Sequence, residues 1–164
     1  MTLPIASVPN GTVTSAKGFS AGGVFAGIKT PGPGKLDLGI IYSEQPCAVA
    51  GTFSQNTIIS STVVLDKERV GTDKSIHAVV VNSGCANTAV GDQGMTDAKE
   101  MTKLAAEHLG VSEEQTLVSS TGVIGVEIPM ALMREFIPQI KLTADGGGDF
   151  ANAILTTDKR TKEI

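Results

Sequence analysis

The segment Ile76–Gly84, IHAVVVNSG, constrains the fold more than any other stretch. Its β-branched run predicts a strand, and the Asn-Ser-Gly that follows ends the strand in a turn. The period then changes: Ala98, Met101, Leu104, Ala105 and Leu109 recur at helical spacing, with Gly110 as a natural C-terminal stop. The turn VSEEQ leads to a second strand-like run, TLVSS (116–120). Pro129 stands where a first helical residue is expected, and Met130, Met133, Ile137 and Ile140 mark one face of a second helix. Pro138 should kink that helix or end it early. DGGGD (145–149) breaks the chain, and FANAILTTDK reads as a third, short helix.

Upstream, GGVFAGIK (22–29), LDLGIIYS (36–43) and CAVAGTFS (47–54) are each strand-sized, with TPGPGK (30–35) as a turn between the first two. STVVLDKERV (61–70) holds either a strand or a short helix. Residues 1–16 read as an N-terminal arm. No repeat and no linker divides the chain, so residues 1–164 are expected to form a single domain. Strands first, then strands alternating with helices, predict a mixed α/β (α+β) fold with a sheet covered by helices.

Composition narrows the function classes. Aromatics are only 4% with no Trp, so the core must rest on Val, Ile, Leu, Ala and Met. Charged residues at 18% against 41% hydrophobic exclude a disordered segment. Net charge is −4 with scattered basic residues, which disfavours nucleic acid and anionic membranes as partners. No apolar run reaches bilayer length and no secretory signal is evident, so a cytoplasmic location is expected. Cys47 and Cys85 are expected to be reduced thiols packed as small apolar side chains.

The chain has two histidines, His77 at the start of an apolar strand and His108 near a helix end, and both read as structural. A Ser-His-Asp triad therefore has little support. No His/Cys/carboxylate cluster has metal-ligand spacing, and TPGPGKLDLG is neither a P-loop nor a dinucleotide fingerprint. Two strand-to-helix segments remain. VNSGCANTAVGDQG (81–94) offers Asn82, Ser83, Asn87 and Thr88 around Gly84 and Gly91; it reads either as a hydrogen-bonding cradle or as a self-stabilised turn. VSSTGVIG (118–125) places hydroxyls beside Gly122. Thr121 and the Gly122 N–H would suit an oxyanion hole, while Ser119 and Ser120 are rival nucleophiles with no evident base.

Together, KGFSAGGVFAGIK, KLDLGIIYSEQPCAVAGTFSQN, VVVNSGCANTAVGDQGMTDAKEM, VSSTGVIGVEIPM and ANAILTTDKR resemble the glutamate N-acetyltransferase/ornithine acetyltransferase family of arginine biosynthesis. The resemblance runs from about Lys17 to Asp158. It implies the fold shared with N-terminal-nucleophile aminopeptidases and a precursor that cuts itself before an internal threonine. That threonine becomes the β-chain nucleophile, and its own α-amino group acts as base. By resemblance this chain is the α-chain part, working with the β chain in an α2β2 heterotetramer. The cleavage segment, a Lys-Gly stretch and a Met-Ala-Thr run, is expected beyond TTDKRTKEI. The implied reaction moves an acetyl group from N-acetylornithine to glutamate without a cofactor, with acetyl-CoA as an alternative donor.

Carried over by position, Thr121 and Gly122 match the oxyanion-hole pair. Thr156 matches a substrate-contacting threonine with Thr157 as its neighbour, and Asn82, Gly84 and Asn87 match a signature near the active site. Cys85 stands where Asn is frequent, and the glycines of DGGGD replace a usually bulkier residue. Two rival readings are a related-fold amidohydrolase or aminopeptidase subunit, and a non-catalytic assembly module when isolated.

Overall fold

A computed structural model describes residues 8–29, 34–71 and 75–163. Strands β1 (Phe19–Val24), β2 (Leu38–Cys47), β3 (Ile76–Cys85) and β4 (Thr116–Val123) form one sheet in that order. β1, β2 and β3 pair antiparallel, and β4 runs parallel to β3. Helix α1 (Ser61–Val70) links β2 to β3, and α2 (Gln93–Leu109) carries the crossover from β3 to β4. α3 (Met130–Phe136) and α4 (Gly147–Ala153) follow.

The two sheet faces are read from the pleat. Leu38, Ile40, Val80 and Val118 point to one face, where they pack with Ala98, Met101 and Ala105 of α2, Met133 of α3, Ile137 and Ile140. This aliphatic core, without an aromatic centre, is the one the composition demands. On the opposite face α4 lays Phe150 over Ala21 and Val81. The sheet is thus covered by helices on one face and by a single short helix over part of the other.

Local chemistry accounts for the elements. α1 is the helix rather than the strand: Ser60 caps it by accepting the Thr62 N–H, and Thr62, Leu65 and Arg69 form its buried face. α2 stops where Gly110 turns left-handed at φ +71° and its N–H bonds the Ala106 carbonyl. Pro129 is the residue before α3 rather than its first, and the helix ends at Phe136, two residues ahead of Pro138.

Other expectations change as well. Asn82, Ser83 and Gly84 do not end the strand in a turn but lie inside β3, which runs to Cys85. CAVAGTFS is no separate strand: Cys47 ends β2 and residues 48–60 lack regular structure. Most of these side chains stay exposed, and the Phe53 ring lies over Gly51 instead of in a sheet. β1 sits earlier than GGVFAGIK suggested, because the N–H groups of Ala26, Ile28 and Lys29 bond the Asp37 carboxylate instead of a strand. The glycines of DGGGD do not break the chain but start α4, and the helix stops at Ala153 well short of Lys159. A Cβ on Gly146 would lie 1.8 Å from the Ala21 carbonyl oxygen, so glycine is what lets the start of α4 touch β1. Of the predicted turn TPGPGK, residues 30–33 lie outside the described residues. In the predicted arm, Thr12 sits where a Cβ on Gly147 would meet its Oγ1 at 2.3 Å.

Candidate functional site

Because β3 and β4 are parallel, their C-terminal ends emerge together, the place where open sheets form crevices. Gly84 and Gly122 are opposed in the register. Their φ angles are +129° and +134°. A Cβ on Gly122 would lie 2.3 Å from the Gly84 carbonyl carbon, and one on Gly84 would lie 2.7 Å from Ile28 Cγ2. Both positions require glycine, for conformation and for space. Main chain, free of side-chain cover, therefore reaches the surface at the strand ends.

An open cavity of about 1130 Å³ lies there, lined by Thr121, Gly122, Gly84, Thr156, Thr157 and Lys29 among others. Ser83 Oγ donates to the Ala153 carbonyl, which ties the end of α4 to β3 and brings the segment after it to the strand ends. Neither Thr121 nor Thr156 nor Thr157 spends its hydroxyl on another described residue, so the hydroxyls are free to meet a ligand. Five expected residues thus come together: Thr121, Gly122, Thr156, Thr157 and Gly84.

Asn82 and Asn87 do not line the cavity. Both are fully buried. Asn82 Nδ2 donates to the Cys85 carbonyl at 3.0 Å and its Oδ1 accepts from Ser120 Oγ at 2.6 Å. Asn87, at φ +51°, donates through Nδ2 to the Gly94 carbonyl at 2.8 Å. They hold the loop behind the cavity in shape. The bond to Asn82 also occupies the Ser120 hydroxyl, and Ser119 is exposed outside the cavity lining. The histidines are elsewhere: His77 Nδ1 bonds the Ser43 carbonyl and stacks on Tyr42, while His108 Nε2 bonds the Ile140 carbonyl. Burial pushes the Cys85 thiol up, which keeps it protonated in the core. Among the described residues no group of three or more His, Cys, Asp or Glu could hold a metal. No helix among them is long and apolar enough to cross a membrane.

Two residues at the site escaped the sequence reading. Asp37 is wholly buried; Oδ1 accepts the Ala26 N–H at 2.7 Å, and Oδ2 accepts those of Ile28 at 2.6 Å and Lys29 at 3.2 Å. It thereby shapes the loop that presses Ile28 against Gly84 and presents Lys29 to the cavity. Burial pulls the Lys29 ammonium below its usual pKa; Asp37 opposes that shift and Lys35 adds to it. The available signal was a lone carboxylate inside the apolar run LDLGII, which has to find partners if it is buried.

The family model for ArgJ matches residues 20–164. The chain belongs to the ArgJ family. It is 45% identical over 158 residues to the arginine biosynthesis bifunctional protein ArgJ of Dehalococcoides mccartyi, covering 96% of this chain and 38% of that protein. It is 42% identical over 160 residues to that of Oceanobacillus iheyensis, covering 98% and 39%. The chain therefore spans well under half the length of these ArgJ relatives. The crystal structure of ArgJ from Bacillus halodurans superposes with a TM-score of 0.87 at 37% identity, over 93% of this chain and 80% of that one. Ornithine acetyltransferase from Mycobacterium tuberculosis, complexed with ornithine, gives 0.86 at 32% identity, over 92% and 81%. The mixed α/β fold expected from the sequence is the ArgJ fold.

Proposed function

We propose that this chain is the α-chain part of an ArgJ acetyltransferase and supplies the oxyanion hole to a nucleophile carried by the remainder of the enzyme. The observation that carries the reading is the meeting of Thr121 and Gly122 with Thr156 and Thr157 around one cavity. Among the described residues this gathers free hydroxyls without a histidine: neither histidine lines the cavity, and the serines of VSSTGVIG are turned to other work or lie outside the lining.

In the proposed reaction, the hydroxyl oxygen of the β-chain N-terminal threonine attacks the acetyl carbonyl of N-acetylornithine, and its α-amine takes the hydroxyl proton. Thr121 Oγ1 and the Gly122 N–H donate to the oxyanion of the tetrahedral intermediate. The C–N bond breaks, the amine passes the proton to the leaving ornithine nitrogen, and an acetyl ester remains on the threonine. The glutamate amine then attacks that ester through the same oxyanion site, and the threonine oxygen leaves with a proton. Thr156, with Thr157 beside it, binds the substrate across the cavity. Exposed Val123, Ile124 and Val126 beside Gly122 support a partner seated at the rim, in an α2β2 assembly.

An acceptor assay on the chain assembled with the remainder of the enzyme tests this. With N-acetylornithine as donor, acetyl should appear on glutamate; release as free acetate alone would assign a hydrolase of related fold. Transfer by this chain without its partner would contradict a nucleophile supplied from outside.

A further inference from the structure

We propose that Lys29 is the fixed cation that holds the α-carboxylate of the amino-acid substrates in the cavity. This rests on the acetyl-transfer reading. Lys29 lines the cavity together with Thr121 and Gly122. Its Nζ donates to the Leu36 carbonyl at 2.8 Å and reaches the Asn152 carbonyl at 3.5 Å. An ammonium carries three donors, so one remains for a ligand. Anchored to two separate segments, the head group is placed before substrate arrives.

The charge balance of the cavity favours an anion. Among the described residues Lys29 belongs to no ion pair. Asp37 attracts it, but both Asp37 oxygens are taken by backbone N–H groups. Lys35 and Lys159 add positive charge to the lining, and the carboxylate of Asp158 is paired with Lys162 at 2.6 Å. A cationic cavity in a chain of net charge −4 is a local arrangement, not a consequence of composition. Burial of part of the ammonium makes a compact anion beside it more favourable than water alone.

The chemistry of the substrates selects which anion. N-acetylornithine and glutamate share an α-carboxylate, whereas their side chains have opposite charge. A single fixed cation serves both half-reactions only if it takes the shared group. The ornithine side-chain ammonium must then point away from Lys29.

The test compares Lys29→Met and Lys29→Arg with wild type in the assembled enzyme, using N-acetylornithine and its α-carboxamide as donors. Lys29→Met should raise KM for the acid by about tenfold or more, the usual scale for losing one charge-assisted hydrogen bond. It should leave kcat at saturation and the kinetics of the carboxamide nearly unchanged, and Lys29→Arg should restore most of the loss. Equal losses on acid and amide, or no loss on either, would show that Lys29 only clips the loop and overturn the proposal. Wild type itself should prefer acid over carboxamide by about tenfold; equal affinity overturns the proposal even if Lys29→Met fails to fold. Failure of wild type to transfer acetyl would sink the reaction instead. Calorimetric binding of the same acid and amide would then read the Lys29 contrast without turnover.

Discussion

Asp37 shows how much a single side chain can organise. Its buried carboxylate holds three backbone N–H groups, and its own carbonyl accepts the Ser83 N–H at 2.8 Å, so one residue fixes both the Lys29 loop and the end of β3. Asn in its place offers one acceptor oxygen and turns an NH2 toward N–H donors. Asp37→Asn should therefore lower unfolding free energy by about 2–4 kcal/mol, the cost of leaving buried donors unpaired. Urea unfolding measures it, and a change well under 1 kcal/mol would contradict this role, given ordinary mutational scatter. At this scale the sequence was readable where the signal was local. Thr121 and Gly122 stand next to each other at the end of β4, so the pair can be singled out from eight letters. The bonds from Asp37 reach backward to N–H groups at residues 26, 28 and 29, and backbone partners leave no trace in residue types. The serines show the same limit: the sequence offers no base for them, but that the Ser120 hydroxyl is spent on Asn82, far away in the chain, only the fold reveals.

At the scale of elements, α1 is bound to β4 by polar contacts with a pH dependence of their own. Asp66 accepts the Val118 N–H at 3.0 Å, and Arg69 bonds the Thr116 carbonyl and Glu113. Burial pushes the Asp66 carboxyl up from 3.8 to about 6, against the Val118 bond and Arg69, which pull it down. A carboxyl whose folded pKa is raised binds its proton more tightly when folded. Its contribution to stability is therefore present below about pH 4 and is lost as the pH rises through about 6. Asp66→Asn keeps the acceptor for Val118 without the buried charge. It should stabilise the protein at pH 7 by at most about 3 kcal/mol, with the gain vanishing below pH 4. Thermal melts across that range decide it; a gain independent of pH would contradict the assignment. Most elements were legible because hydrophobic period and caps agree: β3, α2 and the early end of α3 follow from β-branching, spacing, Gly110 and Pro138. CAVAGTFS failed because an apolar run needs a strand partner, and the sheet supplies none there. DGGGD failed because its glycines answer to Ala21 and Thr12 across the fold, not to the local chain.

For the whole molecule, the sheet is asymmetric: full cover on one face, α4 on part of the other, and a cavity at the ends of β3 and β4. Beside that cavity Val123, Ile124 and Val126 are 60%, 66% and 47% exposed. An exposed apolar rim beside the cavity fits a partner surface. Replacing the three with Ser should weaken association with the remainder of the enzyme by about tenfold or more while leaving the melting temperature of this chain nearly unchanged. Sizing and titration of the two parts measure it, and undiminished affinity would contradict the placement. A partner was an expectation of the family resemblance, whereas the rim itself required the fold. The central claim is that this chain holds the developing charge while another makes the attack. The most direct measurement is the single-turnover rate of acetyl transfer from N-acetylornithine in the assembled enzyme, wild type against Thr121→Ala. The rate of the chemical step should fall at least tenfold, and by about 10²–10³ if Thr121 is a full oxyanion donor, with donor affinity little changed. An unchanged rate of the chemical step would contradict the claim.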